Sequence, residues 1–198
     1  MIGAESGNNA DNFSNSTALG YQAPITGSNQ VNIGNTSISS IKGQVGFTTY
    51  SDQRFKTNVQ TDVLGLDFIM KLRPVTYQLN TLGLDRFLRS GYTPRIKDEQ
   101  AEKMNQQALE QKAKIKYTGF LAQEVEQAAQ AVGYNFSGVD KPQNDRDLYG
   151  LRYAEFVVPL VKAVQEQQAI ITQLQNQLQE QQQQINSLKA LYNTQGKQ

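Results

Sequence analysis

Residues 160–192 read LVKAVQEQQAIITQLQNQLQEQQQQINSLKALY, and alternating steps of four and three residues draw one row of larger side chains through the whole stretch. Val164, Ile171, Leu178, Ile185 and Tyr192 take one core position, and Leu160, Gln167, Leu174, Gln181 and Leu188 take the other. A repeat averaging 3.5 residues holds such a seam on one side of a helix, which is the pattern of a coiled coil. The remaining positions are nearly all Gln, Asn, Glu or Ala, and a lone helix that polar is marginal in water. The spacing therefore predicts a long C-terminal helix, starting near Tyr153, that associates with copies of itself. β-Branched residues at one core position with Leu at the other favour two strands, whereas the Gln167 and Gln181 layers suit three amides meeting on an axis. The seam alone leaves dimer and trimer both open.

Composition agrees with burial shared between copies. An apolar fraction of 38% and an aromatic fraction of 9% over 198 residues promise only a modest core. Lys and Arg number 19 against 18 Asp and Glu, and no tract of like charge marks a nucleic-acid arm. No run approaches the roughly 18 apolar residues that span a membrane, and MIGAESGNNA lacks the basic and apolar regions of a signal peptide. The chain reads as soluble and as the C-terminal piece of something longer, with neither nucleic acid nor membrane as partner. It has no Cys and no His. Disulfides, thiolate nucleophiles, a Ser-His-Asp triad and imidazole-ligated metals are thereby excluded, and no metal or cofactor is expected. A serine nucleophile could be served only by lysine, a carboxylate or a terminal amine.

Ahead of the helix, the chain changes character twice. Residues 1–47 are rich in Gly, Asn, Ser and Thr, yet Ala18-Leu19-Gly20-Tyr21 returns in outline as Asn32-Ile33-Gly34-Asn35, fourteen residues on. An apolar residue followed by Gly at that period suits a β-roll, with the apolar side chain inside and Gly at the corner. From Ser51 the composition is that of a mixed α/β domain. Leu64, Phe68 and Leu72 share one helical face, Pro74 ends it, and 75–79 runs extended. Residues 82–116, including KDEQAEKMNQQALEQKAK, read as a solvated helix. A strand over 117–121, a helix over 122–131 and a polar loop through Asp147 complete the reading.

Three segments carry a family resemblance: SDQRFKTNV at 51–59, GFLAQEVE at 119–126 and YGLRYAEFVVPL at 149–160, with LRPVTY at 72–77 in the matching place. In order and spacing they resemble the peptidase S74 domain, the self-cleaving intramolecular chaperone that ends phage tail fibres, endosialidase tailspikes and related bacterial surface fibres. The charged insert at 82–116 is longer than in many relatives. ALGYQA and VNIGNTSISSIKGQVGF are similar to the head repeats and neck of trimeric surface fibres and adhesins.

The resemblance implies an α+β fold in three parts: a trimeric β-roll and neck over 1–47, the chaperone domain over 48–158, and a coiled-coil helix over 159–198. It implies a homotrimer carrying an upstream fibre passenger, on a virion tail fibre, outside the cell or on a bacterial surface. It also implies a serine-lysine dyad of Ser51 and Lys56 cutting the Tyr50-Ser51 bond. Asp52, Arg54, Gln123 and Glu124 match motif positions and are candidates for orienting the dyad, with a salt bridge or helix cap as the alternative role for each.

The spacing of the dyad sets a demand of its own. Residues five apart lie about 140° from each other on a helix and on opposite faces of a strand. A break between Ser51 and Lys56 is required, or else Lys56 acts on a neighbouring chain. A lysine at its reference pKa of about 10.4 is protonated at neutral pH, and burial in a closed interface lowers that value. Cleavage would then wait for assembly. The competing reading with the same fold is a permanent trimeric tip that never cuts. A membrane-released transcription factor fits poorly, since a basic reading module and a spanning helix are both missing from the sequence.

Overall fold

A computed structural model describes residues 2–7, 12–90, 92 and 98–195, and the fold is mixed α+β, with three two-stranded sheets and a long C-terminal helix. The chain divides into two compact units, one of residues 1–57, 73–125 and 139–151, the other of residues 58–72, 126–138 and 152–198.

The first unit opens with the expected roll. Strands β1 (Thr17–Leu19) and β2 (Val31–Ile33) pair in parallel with Thr17, Ala18 and Leu19 opposite Val31, Asn32 and Ile33, and Ile2 bridges Leu19 on the other side. Gly20 and Gly34 take φ of 111° and 79° at equivalent corners, a region that favours glycine. Asn15 and Asn29 repeat with φ of 53° and 59°, and Asn15 Nδ2 donates to Asn29 Oδ1 at 2.8 Å. Which side chains fill the roll differs from expectation. Ala18, Ala23 and Ile25 are buried with Phe13 against them, whereas the residues preceding Gly are not inside: Ile33 is 43% exposed and Ile2 71%. Successive strand residues point to opposite sides, so with Ala18 turned inward Leu19 and its register partners Ile2 and Ile33 line up as an apolar row facing the other way.

Strands β3 (Val75–Gln78) and β4 (Lys116–Gly119) form an antiparallel ladder, with Tyr77 opposite Tyr117 and their rings stacked 5.8 Å apart. Proline at 74 stands just before β3, where its missing N–H costs the ladder nothing and its ring disfavours a helical residue ahead of it. The insert between these strands is not one solvated helix. It forms α2 (Thr81–Leu88), capped by the Asn80 side chain on the Gly83 N–H, and α3 (Glu99–Lys112), capped by Asp98 on the Ala101 N–H. The two pack together through buried Leu109 and Thr81, whose hydroxyl donates to the Leu109 carbonyl at 2.8 Å. Part of the stretch expected to be helical, residues 91 and 93–97, lies outside the described residues. Helix α4 (Ala122–Ala131) follows as the sequence predicts. The expected polar loop contains a short antiparallel pair, β5 (Val139–Asp140) and β6 (Gly150–Leu151).

Roll and insert touch through polar groups. Lys112 Nζ donates to the carbonyls of Thr36 at 2.8 Å and Ile38 at 2.7 Å, and Gln22 Nε2 donates to Glu102 at 3.1 Å. From the loop after β5, Asn144 Nδ2 donates to the Thr26 carbonyl at 2.7 Å, and Asp147 accepts the Thr26 hydroxyl at 2.7 Å.

In the second unit, α1 is a single turn (Leu66–Ile69) and α5 (Val157–Gln195) a helix of 39 residues, roughly 58 Å long at 1.5 Å per residue. A 3-10 turn at Tyr153–Phe156 leads into α5. Phe68 is fully buried at the centre of an aromatic cluster, 5.2 Å from the Tyr134 ring and 4.8 Å from Phe136, which in turn meets Phe156 edge-on. The Glu166 carboxylate accepts the Leu66 N–H at 2.8 Å, and Gly65 brings α1 onto α5: a Cβ there would stand 2.5 Å from Glu166 Oε2 and 2.7 Å from the Ala163 nitrogen.

Candidate active site at the Ser51 turn

Between Ile38 and Asp62 every residue is exposed, including Ile41, Val45, Phe47, Tyr50 and Phe55. Within this stretch one helical turn forms, a 3-10 turn at Gln53–Phe55. Asp52 caps it by accepting the Arg54 N–H at 2.9 Å, and the Phe55 and Lys56 N–H groups donate to the Asp52 and Gln53 carbonyls at 3.1 Å each. The turn reverses the chain between Ser51 and Lys56. As a result Lys56 Nζ donates to Ser51 Oγ at 2.7 Å.

Arg54 folds back on Asp52, with Nη2 at 2.6 Å from Oδ2 and Nε at 3.1 Å from both oxygens, and its guanidinium lies 5.7 Å from the Phe55 ring centre. The side-chain bond from Arg54, joined by its backbone N–H, holds the Asp52 carboxyl below the usual carboxylate range. Cap and ion pair are thus the roles Asp52 and Arg54 take. Glu124 lies elsewhere, accepting both Nε (3.0 Å) and Nη2 of Arg73 across the start of α4, and Gln123 beside it is exposed. Among the described residues no hydrogen bond joins Gln123 or Glu124 to Ser51 or Lys56. Arg73, in the LRPVTY segment, went unnoticed as a partner in the sequence. Its only signal is a lone cation beside Pro74, and the fold supplies the carboxylate from 51 residues away.

Chemically the turn offers a primary amine in contact with a hydroxyl whose own residue follows the peptide bond of Tyr50. As an ammonium the amine donates to Oγ; once deprotonated it can accept the hydroxyl proton. Residues 51–134 match the Peptidase_S74 family, described as chaperone of endosialidase, and the match opens on Ser51 itself. The family carries a peptidase's name and a chaperone's description, and this S74 segment holds the Ser51 turn, the α2–α3 insert, the β3–β4 ladder and α4. No curated protein and no solved structure matches the chain. Among the described residues no helix is long and apolar enough to cross a membrane.

Proposed function

We propose that this chain is the C-terminal intramolecular chaperone of a fibre protein, which joins three copies and then cuts itself once between Tyr50 and Ser51. The observation that carries the reading is the 2.7 Å contact of Lys56 Nζ with Ser51 Oγ at the first residue of the S74 segment. Residues 1–47 are the fibre end in this scheme, 48–158 the chaperone and 159–198 the trimeric coil, on a phage tail fibre or bacterial surface fibre.

Ser51 Oγ attacks the Tyr50 carbonyl carbon as Lys56 takes the hydroxyl proton. The C–N bond breaks, the Ser51 nitrogen leaves as an amine carrying that proton, and Tyr50 is held as an ester. Water then cleaves the ester C–O bond, leaving a Tyr50 carboxylate and restoring the Ser51 hydroxyl. A lysine acts as a base only when stripped of water, and in the single chain Ser51 and Lys56 are both exposed. Closure of the trimer around the turn supplies that desolvation. Trimerisation is supported by the seam of α5, where Leu160, Val164, Ile171, Leu174, Leu178, Ile185, Leu188 and Tyr192 are 45% to 79% exposed, and by the apolar row along the roll.

The test is intact mass and denaturing gel analysis of wild type beside Ser51→Ala and Lys56→Ala. Wild type splitting before Ser51, with both variants whole, establishes the dyad. Three intact trimers would replace the reading with a permanent, non-cleaving tip.

A further inference from the structure

Cutting at Tyr50-Ser51 would leave the roll and the S74 segment as separate chains, joined only by their non-covalent contacts. We infer that α3 and the 141–148 loop form a polar clasp that keeps residues 1–50 bound to residues 51–198 after the covalent link is gone, an inference that takes its biological occasion from the autocleavage reading.

Every clasp contact crosses the cut. Lys112, at the C-terminal end of α3, holds the Thr36 and Ile38 carbonyls just where the chain leaves the last rung of the roll. Asp147 takes the hydroxyl of buried Thr26, and Glu102 takes the Gln22 amide. The covalent connection contributes no packing, because residues 38–57 are exposed throughout. It acts as a tether, raising the local concentration of one face for the other, and severing it leaves the clasp to hold alone.

The chemistry of the contacts is that of a releasable interface. Burial pushes the Lys112 ammonium below the ordinary lysine value, so it has given up part of its water for two carbonyls. Burial opposes the charge of Asp147 too, yet the Gln143 N–H and the Thr26 hydroxyl outweigh it and hold the carboxyl below its usual range. Charge-assisted bonds of this kind are strong when dry and weaken as salt and water compete. A dry apolar seam would not respond in that way. The occupant of the clasp is thus the last rungs of the same chain's roll, held firmly at low salt and shed under competition.

The test uses the full chain carrying Ser51→Ala and a recognition sequence for a site-specific protease in place of residues 43–48, so that an added protease makes the cut. After cutting, native size-exclusion chromatography at low salt should show both pieces eluting together. Lys112→Met, or Thr26→Val on the roll side, should speed their separation about tenfold, and high salt should do likewise; the second variant serves if the first perturbs α3. Pieces that part at once in the parent overturn the clasp. So do pieces that stay together at an unchanged rate in both variants, which would assign retention to the oligomer. Autocleavage is read separately on the wild-type chain, so its failure is not confused with failure of the clasp.

Discussion

Lys56 Nζ reaches Ser51 Oγ at 2.7 Å within one chain, although neither a helix nor a strand would bring residues five apart together. The Gln53–Phe55 turn is the break that the spacing demands, and Asp52 nucleates it from the position next to Ser51. Capping residue, turn and amine therefore form one short cassette that needs no other element for its geometry. For the proposed cleavage it would also need water removed from around the amine.

Lys56→Arg should keep a cation of similar reach beside Ser51 yet abolish cleavage by at least about a hundredfold, because a guanidinium does not give up its proton. Mass spectrometry after overnight incubation reads the outcome. Cleavage by the Arg variant at a comparable rate would remove Lys56 as the base.

Asp52→Ala should loosen the turn and slow cleavage about tenfold without moving the melting temperature, since the cap is local and exposed. The Asp52 carboxyl is held below its ordinary value by Arg54. Its contribution to the turn is therefore complete above the ordinary carboxylate pKa of about 3.9 and fades as pH falls through the lowered value. Amide exchange at Arg54 and Phe55 between pH 6 and pH 3 follows this directly; protection independent of pH would contradict it.

Ile171→Asp places a charge on the α5 seam and should weaken self-association at least tenfold. Sedimentation velocity should then report monomers, and if desolvation by the trimer activates the dyad, the same variant stays uncut. An Ile171→Asp chain that cleaves as a monomer would separate catalysis from assembly.

Phe68→Ala should destabilise the second unit by about 3–5 kcal/mol, since the ring is wholly buried against Tyr134 and Phe136. Thermal melting followed by near-ultraviolet circular dichroism measures it. A loss below about 1 kcal/mol would mean that the cluster relaxes into the space.

Glu102 is held below the usual carboxylate range first by its hydrogen bond to Arg89, with Gln22 adding to it, while Tyr21 nearby is pushed up by burial and by Glu102. A depressed acid stabilises the fold above its unfolded pKa of about 4.3 and loses that contribution as pH falls through the folded value. Protection of α3 amides should drop below about pH 4.3 in wild type and vary less in Glu102→Gln.

Much of the architecture was legible. The bounds of α4, the extended run after Pro74 and the start of the terminal helix near Tyr153 all rest on periodicity and backbone chemistry within a few residues, whereas the helix expected through Leu64, Phe68 and Leu72 up to Pro74 is only the single turn Leu66–Ile69. The insert at 82–116 was misread because Leu109 and Thr81 are too few to mark a buried face, and their burial depends on α2 folding back on α3. The roll's interior was misassigned for a related reason: the repeat marks which positions are equivalent, but only the folded strand shows that Ala18 rather than the neighbouring Leu19 or its partner Ile33 turns inward.

By itself the sequence determined α4, the terminal helix, the fourteen-residue repeat, the heptad seam and the chemistry left open by the lack of His and Cys, all properties of residue type and near spacing. Only the tertiary structure decided that Lys56 turns back onto Ser51 in the same chain, that Arg73 claims Glu124, and that Lys112 grips the end of the roll. The Lys56 contact depends on one backbone turn, and the other two join residues 51 and 76 positions apart. No periodicity reaches that far, because such meetings are set by how whole elements pack rather than by what their neighbours in sequence prefer.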